Sequence, residues 1–284
     1  MIGILDIGSN TIRLVTYKNG EYISNINIAS EILKDTVDNK LTDLGTQKLC
    51  DTVQTLKKEA GDLKIFSFAT YAFRELENRE EVKQKVLENT GIFIDILSGS
   101  EEAECDFYAL LKEIGEDISG IGVDLGGGSA QILTFSHGKL EFSRSYPIGA
   151  KRIKESFLKE KFPSNDEKKQ VEKYIEQTLS DFNKKSENLY MIGGTAKTAA
   201  KMYTFLKGKE MGGKIEVSEL NQVVKFIKEA PGDIMKNVLK ARYDNIAAGI
   251  IVMEKIADMC GAKTIYVKKC SVRDGYIIKR KIGT

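Results

Sequence analysis

Apolar residues run from Ile2 to Leu5, stop at Asp6, turn through Gly8, Ser9, Asn10 and Thr11, and resume at Ile12 through Tyr17. So dense an apolar run predicts a buried strand, and a third run at Tyr22–Ile28 beyond the Asn19-Gly20 turn makes the opening a strand meander. Arg13 alternates with Ile12 and Leu14, so it either faces the ligand side of the turn or covers a sheet edge. From Leu41 to Ala60 the period changes: Leu44, Leu49, Val53 and Leu56 fall at helical spacing, and Lys64–Phe68 returns to strand. A polar helix around Asn78–Glu88, a strand at Ile92–Leu97 and a helix beginning after Ser98 continue the alternation. Ser98 and Ser100 are candidate caps for that helix, and Glu101 and Glu102 sit in its first turn, where the helix dipole favours acids.

The pattern then restarts. Ile121–Phe135 reads as a second apolar run ending in Asp124, a turn through Gly126, Gly127, Gly128 and Ser129, and another run. Leu140–Tyr146 completes a second meander, and helices are predicted over Lys151–Lys161 and Asp166–Lys185, parted at Pro163-Ser164. Leu189–Ile192 is a strand entering Gly193-Gly194-Thr195, with Ala196–Leu206 helical, Asp244–Cys260 a buried helix, Lys263–Val267 a strand and Val272–Lys281 a final helix. The repeat predicts two similar α/β lobes, 1–118 and 119–284, of the actin/hexokinase/Hsp70 (ribonuclease H-like) class around a cleft. The final helix is free to pack back on the first lobe.

A strand that ends in a carboxylate and turns through glycine brings backbone N–H groups close to one acid, which makes a phosphate clamp with a built-in Mg²⁺ ligand. One Asp-x-Gly turn alone reads equally well as an ordinary hairpin. Two of them, each opening half of the chain, imply a phosphate chain gripped from both sides. Ser9, Asn10, Thr11 and Ser129 add side-chain donors.

Composition narrows the chemistry. Of 284 residues, 42% are apolar and 30% charged, with 3 Pro, as in a well-folded soluble protein. Cys50, Cys105, Cys260 and Cys270 form no Cys-x-x-Cys pair and the single histidine, His137, lies in a Ser-His-Gly turn, so zinc and histidine acid/base chemistry are excluded and a general base must be a carboxylate. No run approaches the roughly 18 apolar residues of a membrane span. The chain enters a strand at once without a secretory or transit segment, so the expected compartment is the cytoplasm. Residues 1–118 hold 13 Lys/Arg and 22 Asp/Glu, and the remainder 30 and 19. Basic clusters such as Lys151-Arg152 and Lys268-Lys269 could draw a polyanion or be solvated helix faces. Nucleic acid is not expected, because aromatic residues do not interleave with the basic ones.

Five segments in order, DIGSNTIRL (6–14), ATYAFRELEN (69–78), SGSEEAE (98–104), DLGGGSAQ (124–131) and GGTAKTAA (193–200), together resemble the exopolyphosphatase/guanosine pentaphosphate phosphohydrolase family. SYPIGAKRI (145–153) and SVRDGYI (271–277) are weaker echoes. The resemblance implies Mg²⁺-dependent release of a terminal phosphate from inorganic polyphosphate or guanosine pentaphosphate. It implies phosphate binding by Gly8, Ser9, Asn10, Thr11 and Arg13, by Gly126, Gly127, Gly128 and Ser129, and by Gly193, Gly194 and Thr195. Arg74 matches an arginine that engages phosphate, and Glu102 matches the catalytic base. Asp6, Asp124 and Glu102 are the implied metal ligands, with Asp124 also in the catalytic set. Read from the residues alone, Arg74 is as well explained by an ion pair with Glu75, Glu77 or another acid, and Glu101-Glu102 by the helix dipole.

The chain departs from the family in two places. Gln131 stands where the family usually carries Glu, and a neutral amide neither accepts a proton nor offers a metal negative charge. The Arg- and Gly-rich loop after the third strand is replaced by SEILKDTVDNKLTDLG (30–45). Without the additional helical domain of longer members, short polyphosphate or a nucleotide is the expected substrate. Alternatives are a phosphate- or nucleotide-binding regulatory protein weakened in catalysis, and an ATPase or kinase of the same fold. A second copy of the chain is the macromolecular partner left open.

Overall fold

The computed structural model describes residues 1–9, 11–30, 32 and 34–283, with the side chain of Ala241 left aside. The chain divides into two compact units, Met1–Glu102 with Tyr276–Thr284, and Ala103–Gly275.

The first unit is built on β1 (Ile2–Ile7), β2 (Thr11–Lys18) and β3 (Glu21–Ala29), followed by the short strands β4 (Thr36–Val37) and β5 (Lys40–Leu41). Helix α1 (Asp43–Ala60), β6 (Lys64–Ala69), α2 (Tyr71–Arg74), α3 (Arg79–Thr90), β7 (Ile94–Ile96) and α4 (Gly99–Ile114) follow. The sheet order is β3-β2-β1-β6-β7, antiparallel on the meander side and parallel from β1 onward. Leu5, Ile7, Ile12 and Leu14 pack with Leu49, Val53 and Leu56 of α1 and Val82 and Val86 of α3 in one core. β1 is buried because α1 and α3 cover one face of this sheet, while Phe68 on β6 meets Tyr276, with ring centroids 4.7 Å apart.

The second unit repeats the plan. Its strands are β8 (Gly120–Leu125), β9 (Ala130–Ser136) and β10 (Lys139–Tyr146), then α5 (Ala150–Phe157), α6 (Asn165–Thr178), β11 (Asn188–Ile192) and α7 (Gly193–Lys207). After β12 (Lys214–Glu216) come α8 (Leu220–Glu229), α9 (Gly232–Leu239), α10 (Ile246–Cys260), β13 (Thr264–Val267) and α11 (Val272–Lys279). The order β10-β9-β8-β11-β13-β12 reproduces the first sheet's topology with one added antiparallel edge strand. One face carries Ile121, Val123, Ile132 and Met191 into a core shared with α5, α6, α7, α8 and α10. The other carries Leu133, Phe135, Tyr190 and Ile192 onto Phe107 and Leu110 of α4. Among the described residues no helix is long and apolar enough to cross a membrane.

Several predicted boundaries move. Helix α5 stops at Phe157, because Leu158 is extended and buried, and α6 stops at Thr178, because Leu179 and Phe182 turn into the core. Helix α7 begins at Gly193 rather than Ala196, so the glycine turn is the helix's own first turn. Between Lys214 and Leu239 the chain makes β12, α8 and α9, where the sequence pattern gave no assignment.

Candidate functional site

In both sheets the order of strands reverses at the first strand, β1 or β8, and ligands of open α/β sheets bind at the carboxyl ends of strands beside such a reversal. Asp6 is the penultimate residue of β1 and Asp124 the penultimate residue of β8. The turns that follow are closed by the same bond, Gly8 N–H to the Thr11 carbonyl at 3.1 Å and Gly126 N–H to the Ser129 carbonyl at 3.0 Å. Each turn is thus the tip of an antiparallel hairpin set at the carboxyl end of a buried strand. Asn10 lies outside the described residues; Ser9 is buried and Thr11 opens β2.

In the first unit, Asp6 and Arg13 are directly opposed across β1 and β2 and share one face of the sheet. β3 covers the outer side of β2, so Arg13 does not lie on an edge strand. Helix α2 starts just after Thr70, whose amide donates to the Ile7 carbonyl, and it ends on Arg74. Arg74 Nη1 donates to the Leu97 carbonyl at 2.8 Å and to Glu102 Oε2 at 3.0 Å. The arginine and the carboxylate singled out by sequence are therefore each other's ion-pair partners, and Glu102 is only 6% exposed. Glu77 instead lies 3.9 Å from Lys40.

The two adjacent acids of α4 do different work. Ser98 donates from its amide and hydroxyl to Glu101 Oε2 at 3.0 and 2.9 Å, and its Oγ accepts the Glu101 amide at 3.1 Å, a reciprocal capping box. Burial pushes the Glu101 carboxyl up, but the Ser98 bonds and the Arg280 guanidinium outweigh it and hold the carboxyl below its usual range. Glu102, one residue on, is left to face Arg74.

In the second unit, Asp124 pairs in register with Gln131 on one side and Ile192 on the other. Gly193 has φ +88°, and a Cβ there would fall 2.2 Å from Asp124 Oδ1, so the position admits only glycine. Asp124, the Gly126–Ser129 turn and the start of α7 are thereby brought together. Thr195 is buried, and its methyl carbon lies 2.3 Å from where a Cβ on Gly249 would stand.

Helix α5 braces the glycine turn. The amide of Ala150 donates to the Gly126 carbonyl at 3.0 Å, those of Lys151 and Arg152 to the Gly127 carbonyl at 2.9 and 3.0 Å, and that of Gly149 to the Gly128 carbonyl at 3.4 Å. The helix's orphan N–H groups are thus satisfied by the turn rather than by a ligand. A trans peptide points its N–H opposite to its C=O, so carbonyls drawn toward α5 aim the amides of Gly127, Gly128 and Ser129 the other way. Successive N–H groups facing one direction form an anion-binding nest.

Four further residues of this unit, Gly149, Ser145, Arg242 and Lys197, escaped the sequence reading, the second of them through its contact with Gln131. Gly149 stands where a Cβ would meet the Gly127 carbonyl at 2.4 Å. Gln131 Nε2 donates to Ser129 Oγ at 2.9 Å and to Ser145 Oγ at 3.0 Å. The Arg242 guanidinium lies against Gly194, where a Cβ would come within 1.8 Å of Nη2. Lys197 Nζ donates to the carbonyls of Lys269 and Cys270 at 2.5 and 3.0 Å; burial holds its ammonium below the ordinary value, while the Asp124 charge pulls the other way. Gly149, Ser145 and Lys197 lie inside segments noted for other residues, whereas Arg242 is signalled only as a cation just before an apolar helix.

Among the described residues no group of three or more His, Cys, Asp or Glu side chains is gathered for a metal ion. Mg²⁺ keeps several waters and leans on one or two carboxylates plus substrate oxygens, and Asp6 and Asp124 each offer one carboxylate at a strand end.

Two mixed α/β sheets of one topology, each with a hairpin turn at the end of its first strand, define the actin/Hsp70-like two-lobe class. The chain matches the model of the Ppx/GppA phosphatase family over residues 24–281, and it belongs to that family. It is 25% identical to exopolyphosphatase 1 of Mycobacterium leprae over 308 residues, spanning 98% of this chain and 89% of that protein. Two crystal structures share its fold. An exopolyphosphatase from Cytophaga hutchinsonii superposes with a TM-score of 0.84 at 18% identity, covering 99% of this chain and 98% of that one. The Aquifex aeolicus Ppx/GppA family member gives 0.81 at 21%, covering 99% and 97%.

Proposed function

We propose that the protein is a Mg²⁺-dependent phosphohydrolase that releases the terminal phosphate of short inorganic polyphosphate or guanosine pentaphosphate. The observation that carries this reading is the braced turn, with Gly127, Gly128 and Ser129 amides turned away from α5 beside the buried end of β8. Its counterpart after Asp6, closed by the same hydrogen bond, supports a second phosphate contact. The named relatives from M. leprae and C. hutchinsonii favour polyphosphate.

In this reading the amides of the two turns bind and orient phosphate oxygens, which is most of what phosphoryl transfer asks of a protein. Glu102 takes a proton from the attacking water as its oxygen bonds to the terminal phosphorus, and the anhydride P–O bond breaks with its electron pair going to the leaving phosphate. Arg74, bonded to Glu102, sets a fixed positive charge beside the base, where it would offset the charge of the transferred phosphoryl group. Mg²⁺, when bound, would neutralise charge on the phosphates, and Asp6 and Asp124, each at the end of its own unit's first strand, are the carboxylates that would serve as its ligands.

Phosphate release from tripolyphosphate and guanosine pentaphosphate, measured with Mg²⁺ for wild type and Glu102→Ala, tests the reading. Release from either substrate that collapses in the variant supports it; equal rates for the two proteins remove Glu102 from its role. A second reading, a phosphate-binding regulator with little turnover, is favoured by the Arg74–Glu102 pair and the neutral Gln131. It predicts tight binding of the same ligands without hydrolysis.

A further inference from the structure

We infer that Gln131 fixes the direction of the Ser129 hydroxyl and makes it a hydrogen-bond donor dedicated to an anionic ligand oxygen. The inference rests on the Gly126–Ser129 turn being a phosphate site. Both residues are enclosed, Gln131 at 1% and Ser129 at 4% exposure, so bulk water does not satisfy them. The amide nitrogen of Gln131 carries two hydrogens, and both are committed, one to Ser129 Oγ at 2.9 Å and one to Ser145 Oγ at 3.0 Å. Ser129 therefore accepts from Gln131. Its single hydrogen cannot lie along a line already filled by an incoming N–H, so it turns elsewhere.

The Ser129 amide is already aimed away from α5 by the pull of that helix on the Gly128 carbonyl. Amide and hydroxyl of one residue are then both available as donors at the mouth of the turn. A carboxylate at position 131 would reverse this: it has no hydrogen to give and would draw the Ser129 hydrogen onto itself. The neutral amide thus sets the polarity of the bond as well as the local charge. The turn thereby offers two donors from one residue to an oxygen that accepts, as an unprotonated phosphate oxygen does.

A double-mutant cycle separates this from a plain charge effect. Tripolyphosphate is titrated calorimetrically into wild type, Gln131→Glu, Ser129→Ala and the double variant, with Mg²⁺ and with chelator. Each single change is expected to weaken binding about tenfold or more, the weight of a hydrogen bond to a charged group. In the Ser129→Ala background the Gln131→Glu change should cost only a small further factor. Gln131→Leu, which removes both N–H donors without adding charge, must show the same dependence on Ser129 and stands in should the Glu variant fail to fold. Fold-changes that simply multiply in both cycles overturn the inference while leaving the phosphate site intact. A wild-type protein that binds no tripolyphosphate with or without Mg²⁺ overturns both.

Discussion

Glu102 and Arg74 are the residues on which turnover depends in the proposed reading, and their pairing makes their substitutions distinguishable. Glu102→Gln keeps an oxygen for Arg74 but cannot accept a proton, so kcat for tripolyphosphate should fall by about 10²–10⁴-fold. KM should change little, which steady-state phosphate release would show. Arg74→Lys keeps the charge but offers one nitrogen in place of a fork that already serves Leu97 and Glu102, so KM should rise as well. These residues were legible in the sequence as types at positions, a cation after a strand and an acid at a helix start. What they touch was not. Nothing in the one-dimensional pattern says that Glu101 caps α4 while Glu102 turns to Arg74, because that choice is made by the Ser98 hydroxyl and Arg280, the latter far away in the chain. Gln131 likewise reads as a missing charge until Ser129 and Ser145 are seen at either hydrogen of its amide.

At the scale of elements, α5 and the glycine turn behave as one unit. Gly149→Ala would place a Cβ 2.4 Å from the Gly127 carbonyl, so helix and turn must part. A loss of about 1–3 kcal/mol in stability, the usual cost of overpacking, should accompany weaker tripolyphosphate binding, measured by denaturant unfolding and calorimetry on the same variant. Helix α6 supplies one acid-sensitive contact. The Lys159 amide, together with the Ser164 amide and hydroxyl of that helix's capping box, holds the Glu167 carboxyl down to about 2. A depressed carboxyl contributes stability above its unfolded value and loses it as pH falls toward the folded one. Stability should therefore drop between about pH 4.5 and 2, and Glu167→Gln should flatten that part of an acid-unfolding curve. Elements with clear period were readable: the two meanders, α1 and α10 lie where hydrophobic spacing put them. The ends of α5 and α6 were not, because Leu158, Leu179 and Phe182 leave the helical path to fill a core whose shape is set by distant strands.

For the whole molecule, the two sheets that share a five-strand order were the most legible feature, since the repeat of meander, carboxylate and glycine turn is written twice in the chain. Charge is not shared evenly: residues 1–118 carry more acids than bases and residues 119–284 the reverse. If the basic half gathers a polyanion, KM for a long polyphosphate should rise as the Debye length is shortened from about 10 Å to about 3 Å by salt. KM for tripolyphosphate, held mainly within the turns, should rise less. Parallel assays across a salt series would resolve the difference.

Both seams between the compact units fall inside helices, after Glu102 in α4 and after Gly275 in α11, rather than in exposed connectors. A protease needs a strand of chain it can extend through its own active site, and a helix interior withholds one. Limited digestion of the native protein should accordingly release no pair of intact halves.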